Sequence, residues 1–460
     1  MTMPTSLDQE SMAESLASRH SSLQGPYRHA MKETQTASFP FCNHIKSPEG
    51  DGKSYARSLL LAGHGFPFLN PKGPVGNRPS AHVESGLCVG DVIAVNSSSS
   101  FKYFFNIFKP ASDPAQSQMT PPSFEPFGTP LEDMDVKTKT LPPGTTITSA
   151  GVNVSRVSSS PLEINLVTSA REAAFMVLPE GASCEDLANP SILHLYLKKH
   201  AAEWYRHLRI EEQYEISNGS LYLVTGCDRP ASQCCTWASI PARYPGRSLP
   251  SPNIDIRYRY ENNNVSVTGQ NNGNIMLYDY PRNSRVAVFI RGLRIALGAV
   301  SWPQTNNAFD SSREYYRSLS TPTVGRYAKV LQLRDRHFRV PENPEIEGIL
   351  SEFHPSNIIF PILLRMRPTA RLAVVDDATW MSVAHGESGT VPEITDLILR
   401  VFSQHKIVTK DGIVFLEPKT AEDAQETTES SGLSCLPLRK RDEEANQIRD
   451  LVKELLRNRT

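Results

Sequence analysis

Three residues near the middle of the chain carry groups that could do nucleophilic or acid–base chemistry: Cys227, Asp228 and His200. The Cys227 thiol could attack an electrophile, and Asp228 or His200 could accept a proton. A cysteine nucleophile needs a base within hydrogen-bonding reach, and no motif in the sequence places His200 beside Cys227. The three residues are therefore candidates for a hydrolase- or transferase-like site, but they do not form a complete catalytic set.

Metal and cofactor sites are not expected from the sequence. Cys227, Cys234 and Cys235 have the spacing C-x6-C-C, which lacks the paired two-residue spacing of a zinc finger or zinc ribbon. Residues 50–54, Gly-Asp-Gly-Lys-Ser, resemble the end of a phosphate-binding loop, but Ser47 stands where that loop has its first glycine. We therefore predict neither a metal nor a cofactor.

Charged pairs interrupt or follow two apolar stretches later in the chain. Arg291 and Arg294 interrupt residues 285–297 and could bind an anion, although pairing with a carboxylate is commoner. Asp376 and Asp377 follow a short apolar strand and could coordinate magnesium, as in phosphoryl-transfer domains. Too little patterned sequence remains after them for such a domain, so we interpret the aspartate pair as a turn.

The three candidates lie in the most strongly patterned stretch of the chain, residues 190–237. A helix is predicted after Pro190, and its apolar residues recur at spacings of four, four, three and four: Leu193, Leu197, Ala201, Trp204 and Leu208. An Asn-Gly turn then leads into an apolar strand at 221–225. The loop from Cys227 to Trp237 follows this strand and is the narrowest functional candidate.

Alternating or uniformly apolar stretches predict strands through much of the chain. The clearest lie at 88–95, 101–108, 145–156, 163–167, 173–178, 254–260 and 285–297. Helices are predicted near 346–350 and 358–366, and a further helix and strand at 392–416. This pattern predicts an α+β fold: a mixed or largely antiparallel β-sheet core with packed helices, a small C-terminal α/β unit and disordered ends.

Composition divides the chain into segments. The N-terminal part is polar without periodicity, and a Thr-, Glu- and Ser-rich stretch precedes the last helix. The predicted segments are a disordered or loosely docked arm at 1–80, an α+β core domain at 85–335, a small α/β unit at 340–417, a flexible linker at 418–440 and an amphipathic helix at 441–458. Because that helix is too short to be stable alone, we expect it to dock on the body or on a protein partner.

Charge and cysteine content indicate the compartment. The chain has 48 basic and 49 acidic residues, so no overall field attracts nucleic acid or an anionic membrane. Its seven cysteines are odd in number and widely spread, unlike those of a disulfide-stapled secreted domain. No apolar run near the N-terminus could serve as a signal peptide, and arginines interrupt the most apolar later stretch. We expect an intracellular protein, cytoplasmic rather than nuclear, without a transmembrane segment.

Residues 306–336 combine tyrosines with arginines and lysines. Such a mixture can bind single-stranded nucleic acid, but it is more typical of a solvated loop or helix. We therefore predict no nucleic-acid site. The only partner expected from the sequence is a protein contacted by the C-terminal helix.

A series of short motifs gives the sequence a family resemblance. They are Gly90-Asp91, Phe104-Phe105-Asn106, an apolar strand ending in Pro-Glu-Gly at 175–181, Trp204-Tyr205, Val-Thr-Gly-Cys-Asp at 224–228, the strand at 288–294, His354-Pro355, Asp376-Asp377 and Trp380. With these motifs the chain resembles a large family of uncharacterised proteins predicted from mushroom-forming fungi, over roughly residues 90–380. The resemblance implies no activity, so no catalytic residue is inferred from it.

The lack of a complete catalytic set favours a non-catalytic intracellular binding or interaction protein. Two hypotheses of other classes stay open. One is a hydrolase- or transferase-like enzyme with its site near the 227–237 loop. The other is a membrane-acting or pore-forming protein that refolds the strands at 254–267 and 285–297.

Overall fold

The protein is described from a computed structural model. The structure describes residues 49–69, 71, 78–95, 100–170, 173–212, 216–232, 234–239, 254–270, 274–278, 286–302, 354–384, 394–420 and 436–457. The helices are α1 (Glu49–Leu60), α2 (Ser80–Ser85), α3 (His194–Arg206), α4 (Ser356–Met366), α5 (Asp377–Ala384), α6 (Ile394–Gln404) and α7 (Leu436–Arg457). Short 3-10 turns lie at Leu131–Asp133 and Pro190–Leu193, and a π turn, His207–Glu211, extends α3.

The strands follow in chain order. They are β1 (Phe66–Pro67), β2 (Asp91–Val95), β3 (Phe101–Asn106), β4 (Val136–Leu141), β5 (Thr145–Thr148), β6 (Val152–Ser159), β7 (Leu162–Thr168), β8 (Ala173–Leu178), β9 (Ala182–Leu187), β10 (Leu221–Pro230), β11 (Cys234–Ser239), β12 (Ile254–Glu261), β13 (Asn264–Gln270), β14 (Asn274–Tyr278), β15 (Phe289–Leu297), β16 (Leu372–Asp376), β17 (His405–Lys410) and β18 (Ile413–Pro418).

The largest sheet is built around β10 and β15, two long antiparallel strands that are buried almost throughout. Its strand order is β17-β18-β16-β15-β10-β2-β3, in which β16 and β18 are parallel and the other neighbours are antiparallel. Beyond a bulge at Thr225, β9 replaces β2 as the neighbour of β10. The second half of β10 therefore lies between β9 and β15.

Both faces of this central sheet are covered, which explains why β10 is apolar on both sides. One face packs against α3 through Leu197, Trp204 and Leu208. The other face packs against α4, α5, α6 and α7, with Phe360 and Trp380 in the cluster. Fully burying a leucine such as Leu197 contributes about 1.5–3 kcal/mol. The apolar stripe predicted on α3 is therefore part of the core.

Two smaller sheets pack face to face, with strand orders β14-β11-β8-β5 and β13-β12-β7-β6. Inward and outward residues alternate along β7 and β12, as the two-residue period of a strand requires. Ile164, Ile256 and Tyr258 meet Phe175 of β8 between the two sheets. The opposite face of β8, including Met176, packs against α1, so β8 is buried on both sides.

This architecture confirms the predicted α+β fold of mixed and antiparallel sheets with packed helices. The boundary predicted between a core at 85–335 and a separate unit at 340–417 does not divide the central sheet, because β16 pairs with β15 over its whole length. The predicted disordered N-terminus up to residue 48, the stretch at 306–336 and most of the predicted linker lie outside the described residues.

The arm predicted at 1–80 is wrong for residues 49–69, which belong to the core. Helix α1 buries Tyr55 and Leu59 completely, and β1 pairs with β15. Residues 50–54 lie within α1, so they form neither a phosphate-binding loop nor a turn. The amphipathic packing of α1 became possible only because β8 and β15 supply the apolar surfaces that it covers.

The loop predicted at 227–237 is wrong as well. Strand β10 continues to Pro230, and β11 begins at Cys234. Hydrogen bonding to β9 extends β10 past the Gly226-Cys227-Asp228 sequence, which is otherwise typical of a strand end. Because successive side chains of a strand alternate, Cys227 and Asp228 point to opposite faces of the sheet.

The C-terminal helix α7 begins earlier than predicted, at Leu436. Ile448 and Val452 are buried against α4 and α6, and Glu454 pairs with Arg365 at 3.0 Å. The apolar side chains that the structure describes on α7, from Ile448 to Leu455, therefore pack within the chain. None of the described helices is both long enough and apolar enough to cross a membrane.

Candidate functional site

Cys227 does not have the surroundings of a nucleophile. Its side chain is fully buried with Val224 and Ile290 on the face of the sheet that packs against α4. Burial raises the pKa of the thiol far above neutral pH, so the sulfur is protonated. Cys227 is a core residue.

His200 lies on α3 beside the rings of Tyr196 and Trp204, with centroid distances of 4.5 and 6.3 Å. Burial and the neighbouring Lys199 lower its pKa, so the imidazole is neutral at pH 7. Among the described residues, no hydrogen bond joins His200 to Cys227 or Asp228. The three candidates from the sequence therefore do not form one site.

Asp228 is the candidate that the structure connects to other polar groups. Its carboxylate is 1% exposed; Oδ2 accepts a hydrogen bond from His64 Nδ1 at 2.8 Å, and Oδ1 lies 2.8 Å from Arg291 Nη2. The neighbouring Cys184 thiol also favours its ionised form. Burial acts to raise the pKa of Asp228, but these partners outweigh burial and hold the pKa below its usual value. The carboxylate is therefore ionised.

His64 is positioned by the short loop before β1. Gly63 and Gly65 have positive φ angles of 82° and 96°, and a Cβ on Gly65 would lie 2.1 Å from Ile290 O. The ring lies 5.2 Å from that of Phe289. Because Nδ1–H donates to Asp228, Nε2 is the acceptor nitrogen, on a side chain that is 24% exposed. His64 and Asp228 thus form a dyad of the kind that orients a general base.

Arg291 joins the dyad to β9 and uses its whole guanidinium group to do so. Nε donates to Asp186 Oδ1, Nη1 donates to the His64 carbonyl at 2.7 Å, and Nη2 pairs with Asp228. The carboxylate pairing, rather than anion binding, is what the structure shows for Arg291. Arg294 is likewise engaged, with Asn357 Oδ1 at 3.0 Å and Gly219 O at 2.9 Å.

A cleft opens at the end of β16, on the face of the central sheet that carries Arg291 and Asp228. Asp376 pairs in register with Leu293, and Arg291 lies two residues along β15 on that face. The cleft has a volume of about 850 Å³, and we name it the Asp376 cleft. It is lined by Ser191, His194, Val374, Asp376, Ala378, Thr379, Ser382, Ser403, Gln404, His405, Phe415, Leu416, Glu417, Pro418, Lys419 and Thr420.

Asp376 is a partly buried carboxyl group with an incomplete set of partners. Its Oδ1 accepts a hydrogen bond from Ala378 N–H at 2.9 Å, and no cationic side chain among the described residues pairs with it. Burial and the carboxylates of Asp377 and Asp186 raise its pKa to about 7. Near neutral pH, the group therefore exchanges between its protonated and ionised forms.

Two histidines line the same cleft. Burial lowers the pKa of His194, whose ring lies 4.8 Å from that of Phe415. Burial and Lys419 lower the pKa of His405, whose Nδ1–H donates to Val401 O at 2.9 Å. Both imidazoles are neutral at pH 7, so neither supplies a positive charge to Asp376.

The neighbouring Asp377 has a structural role. It is fully buried and accepts hydrogen bonds from Trp380 Nε1 at 2.9 Å, from Gly292 N–H at 3.2 Å and from the Tyr222 hydroxyl; His354 Nε2 lies 3.3 Å away. These contacts tie α5 to β10 and β15. The aspartate pair thus joins a strand directly to a helix, where the sequence was interpreted as a turn.

Within the part of the chain that the structure describes, no group of three or more His, Cys, Asp and Glu side chains has a metal-binding arrangement. Sequence reasoning missed His64, because its surroundings lack periodicity; the Gly63-His64-Gly65 sequence is the signal that could have indicated a fixed loop. It also missed the cleft, because its lining comes from segments far apart in the chain.

Comparison of the chain with protein-family models gives no match, and comparison with curated proteins gives none either. The resemblance to the fungal family stays a prediction. Any function has to follow from the chemistry of the His64–Asp228 dyad and of the Asp376 cleft, since a fold alone does not specify a function.

Proposed function

We propose that this protein is a non-catalytic binding protein that holds its ligand in the Asp376 cleft. The cleft itself supports the proposal, because several elements border an open cleft whose volume is in the range of small-ligand sites and line it with both apolar and hydroxyl groups. A carboxyl group with an open hydrogen-bonding position gives such a cleft a point of recognition. The cytoplasm is the proposed location; the free thiols of Cys88, Cys184 and Cys227 are compatible with a reducing compartment.

A fragment screen by ligand-observed NMR tests this proposal. Ser382→Trp places a large side chain in the cleft, and Ser155→Trp makes the same change on the exposed strand β6. We expect fragments that bind the wild-type protein to lose affinity by about tenfold or more in S382W and to keep it in S155W. Circular dichroism confirms that both variants are folded. Equal binding to wild type and S382W would remove the cleft as the ligand site.

One observation favours a second candidate function, a hydrolase- or transferase-like enzyme. Asp228 fixes the His64 tautomer so that Nε2 could take a proton from water or from a substrate hydroxyl. The site includes Asp228 but neither Cys227 nor His200. This enzyme would act by general-base catalysis, because neither Cys184, whose pKa is raised to about 12 by burial and by Asp228, nor Cys227 is a thiolate at neutral pH.

Turnover of a panel of chromogenic esters, amides and phosphoesters tests the enzyme hypothesis. If any substrate is turned over, His64→Asn should reduce kcat by about 10²-fold or more, since the amide keeps the hydrogen bond to Asp228 but cannot act as a base. His200→Asn should leave that rate unchanged. Activity that survives H64N would exclude the dyad as its source.

The membrane-acting hypothesis is not proposed further, because its strands are interior to two sheets. β12 is hydrogen-bonded on both sides, to β7 and β13, and β15 is bonded to β10 and β16. Releasing β15 would break the central sheet along its most buried strand.

A further inference from the structure

The open oxygen of Asp376 defines what the cleft can recognise. Oδ1 is occupied by Ala378 N–H, whereas Oδ2 accepts no hydrogen bond from the described residues. A partly buried carboxylate is costly without a counter-charge, because burial disfavours its ionised form. A ligand that supplies a positive charge at Oδ2 would remove that cost.

Lys419, which lines the cleft, and Arg291, on the neighbouring strand β15, are both engaged elsewhere. Lys419 Nζ donates to the carbonyls of Phe402 and Ser403, at 3.1 and 2.8 Å, at the C-terminal end of α6. The Arg291 guanidinium is fully used by Asp186, Asp228 and His64. Among the described residues, the charged side chains that shift the pKa of Asp376 are the carboxylates of Asp377 and Asp186.

The lining also limits the shape of the cation. Val374, Phe415, Leu416 and Pro418 form an apolar wall that would suit a hydrocarbon stem. Ser382 donates its hydroxyl hydrogen to Thr379 O at 2.8 Å, which leaves the lone pairs of its Oγ available as acceptors.

The open oxygen of Asp376 suits an ammonium group, which can direct one of its three divergent hydrogens to a single acceptor. A guanidinium group prefers to pair with both oxygens of a carboxylate at once, and at Oδ1 it would have to share the oxygen with Ala378 N–H.

We infer that the ligand of the Asp376 cleft carries a primary ammonium group on an apolar stem, as a lysine side chain does, with Asp376 as its counter-ion. This inference rests on the proposed binding function and specifies the ligand class.

Binding of an ammonium group should release protons near neutral pH. The charged or titratable groups around Asp376 are Asp377 on α5, Asp186 on β9, His194 on α3, and His405, Glu417 and Lys419 on the β17–β18 hairpin and its flanks. Because the pKa of Asp376 is about 7, about half of its carboxyl groups are protonated at pH 7, and a bound cation would displace that proton. The expected release is about half a proton per ligand at pH 7, falling towards zero at pH 9.

Isothermal titration of the full-length protein tests the inference with three probes: the N-acetyl methylamides of lysine, norleucine and arginine. Norleucine has the apolar stem without the ammonium group. We expect the lysine probe to bind about tenfold or more tightly than either of the others, and proton release to appear when the titration is repeated in buffers of different ionisation enthalpy. Asp376→Asn should weaken the lysine probe by about tenfold or more, while Asp255→Asn, on the exposed side of β12, should not.

The outcomes separate this inference from the proposed binding function. Equal binding of lysine and norleucine probes, lost in S382W, would keep the cleft as a binding site and overturn the ammonium class. Absence of binding by the lysine probe up to about 10 mM would also overturn it. If, in addition, no fragment in the NMR screen is sensitive to S382W, the binding function fails as well. The thermal midpoint of each variant confirms that loss of binding is not loss of the fold.

Discussion

At the scale of single residues, the Arg291 guanidinium connects three groups of the dyad and of β9. It pairs with Asp186 and with the fully buried Asp228, and it holds the His64 carbonyl. Removing one partner of a buried ion pair leaves the other charge without compensation, which typically costs about 3–5 kcal/mol. We therefore expect Arg291→Met to lower the free energy of unfolding by about that amount, measured by urea denaturation.

A matched control for this prediction is Arg259→Met on β12. Arg259 pairs with Glu163 and Glu261, but its side chain is half exposed, so water screens both pairs. The expected loss is below about 1 kcal/mol. Similar losses for the two variants would show that the Asp228 carboxylate does not depend on Arg291.

The contribution of Asp376 to the free energy of unfolding depends on pH with the opposite sign to that of Asp228, because the fold raises the pKa of Asp376 and lowers that of Asp228. The pKa of Asp376 is about 7 in the folded protein and 3.8 without the fold, so the folded state holds the proton more tightly. The contribution of Asp376 to stability is fully present below about pH 4 and is lost as pH rises to about 7. Relative to wild type, Asp376→Asn should therefore gain stability over this range, by up to about 4 kcal/mol.

Urea denaturation of wild type and D376N at pH 4.5, 6 and 8 measures this difference. Asparagine keeps an oxygen that can accept the Ala378 N–H, so the start of α5 should be retained. Asp255→Asn is the control, because its side chain is exposed. A difference between wild type and D376N that does not change with pH would contradict the raised pKa.

At the scale of elements, the loop before β1 decides whether the dyad exists. Gly65 adopts a φ of 96°, and an added Cβ would collide with Ile290 O. We expect Gly65→Ala to lower the free energy of unfolding by about 2–4 kcal/mol and to move His64 away from Asp228. The 15N chemical shifts of the His64 imidazole report the second effect, because the displaced ring loses its hydrogen bond to the Asp228 carboxylate.

Gly128→Ala is the control for the loop, since no atom lies within 4 Å of the position of its Cβ. It should change stability by less than about 1 kcal/mol. If G65A is as stable as G128A, the backbone around His64 is not fixed in the way described. Gly63 also has a positive φ angle, so both glycines together determine how the chain turns into β1.

At the scale of the whole molecule, the continuous central sheet predicts cooperative unfolding. Trp204 and Trp380 are buried on opposite faces of that sheet, the first on α3 and the second on α5. Tryptophan fluorescence and far-UV circular dichroism should therefore follow a single, coincident urea transition. A separate unit at 340–417 would instead give two transitions.

Two truncations on opposite faces sharpen this test. Leu197→Ala on α3 and Ile362→Ala on α4 each remove a fully buried side chain, at an expected cost of about 2–5 kcal/mol. In a cooperative molecule, each variant shifts the same transition as seen by both signals. Two transitions in either signal, of which each variant shifts only one, would show that the faces unfold separately.

Local patterns accounted for much of the architecture. The alternation in Ile254–Glu261 and the uniformly apolar Leu221–Val224 predicted strands that the structure contains, because the period of side chains along a strand is a local property. The stripe from Leu193 to Leu208 likewise predicted α3. Such a pattern shows which face of a helix or strand is buried, whatever the element packs against.

The candidate sites were predictable only in part. Asp228 was identified from its residue type, but its partner His64 lies 164 residues away and belongs to a stretch without periodicity. Cys227 was identified together with Asp228, and the alternation of β10 then placed the two on opposite faces. A strand end could not be distinguished locally from a strand that continues through pairing with β9.

By itself, the sequence determined the α+β class and the surfaces that its helices and strands would bury, because these follow from residue spacing. Only the tertiary structure decided that β16 joins β15, that α1 belongs to the core, and that Asp376 faces a cleft in which no cation of the described residues pairs with it. These outcomes depend on contacts between segments far apart in the chain. Such contacts set the burial and charge around each group, and therefore its chemistry.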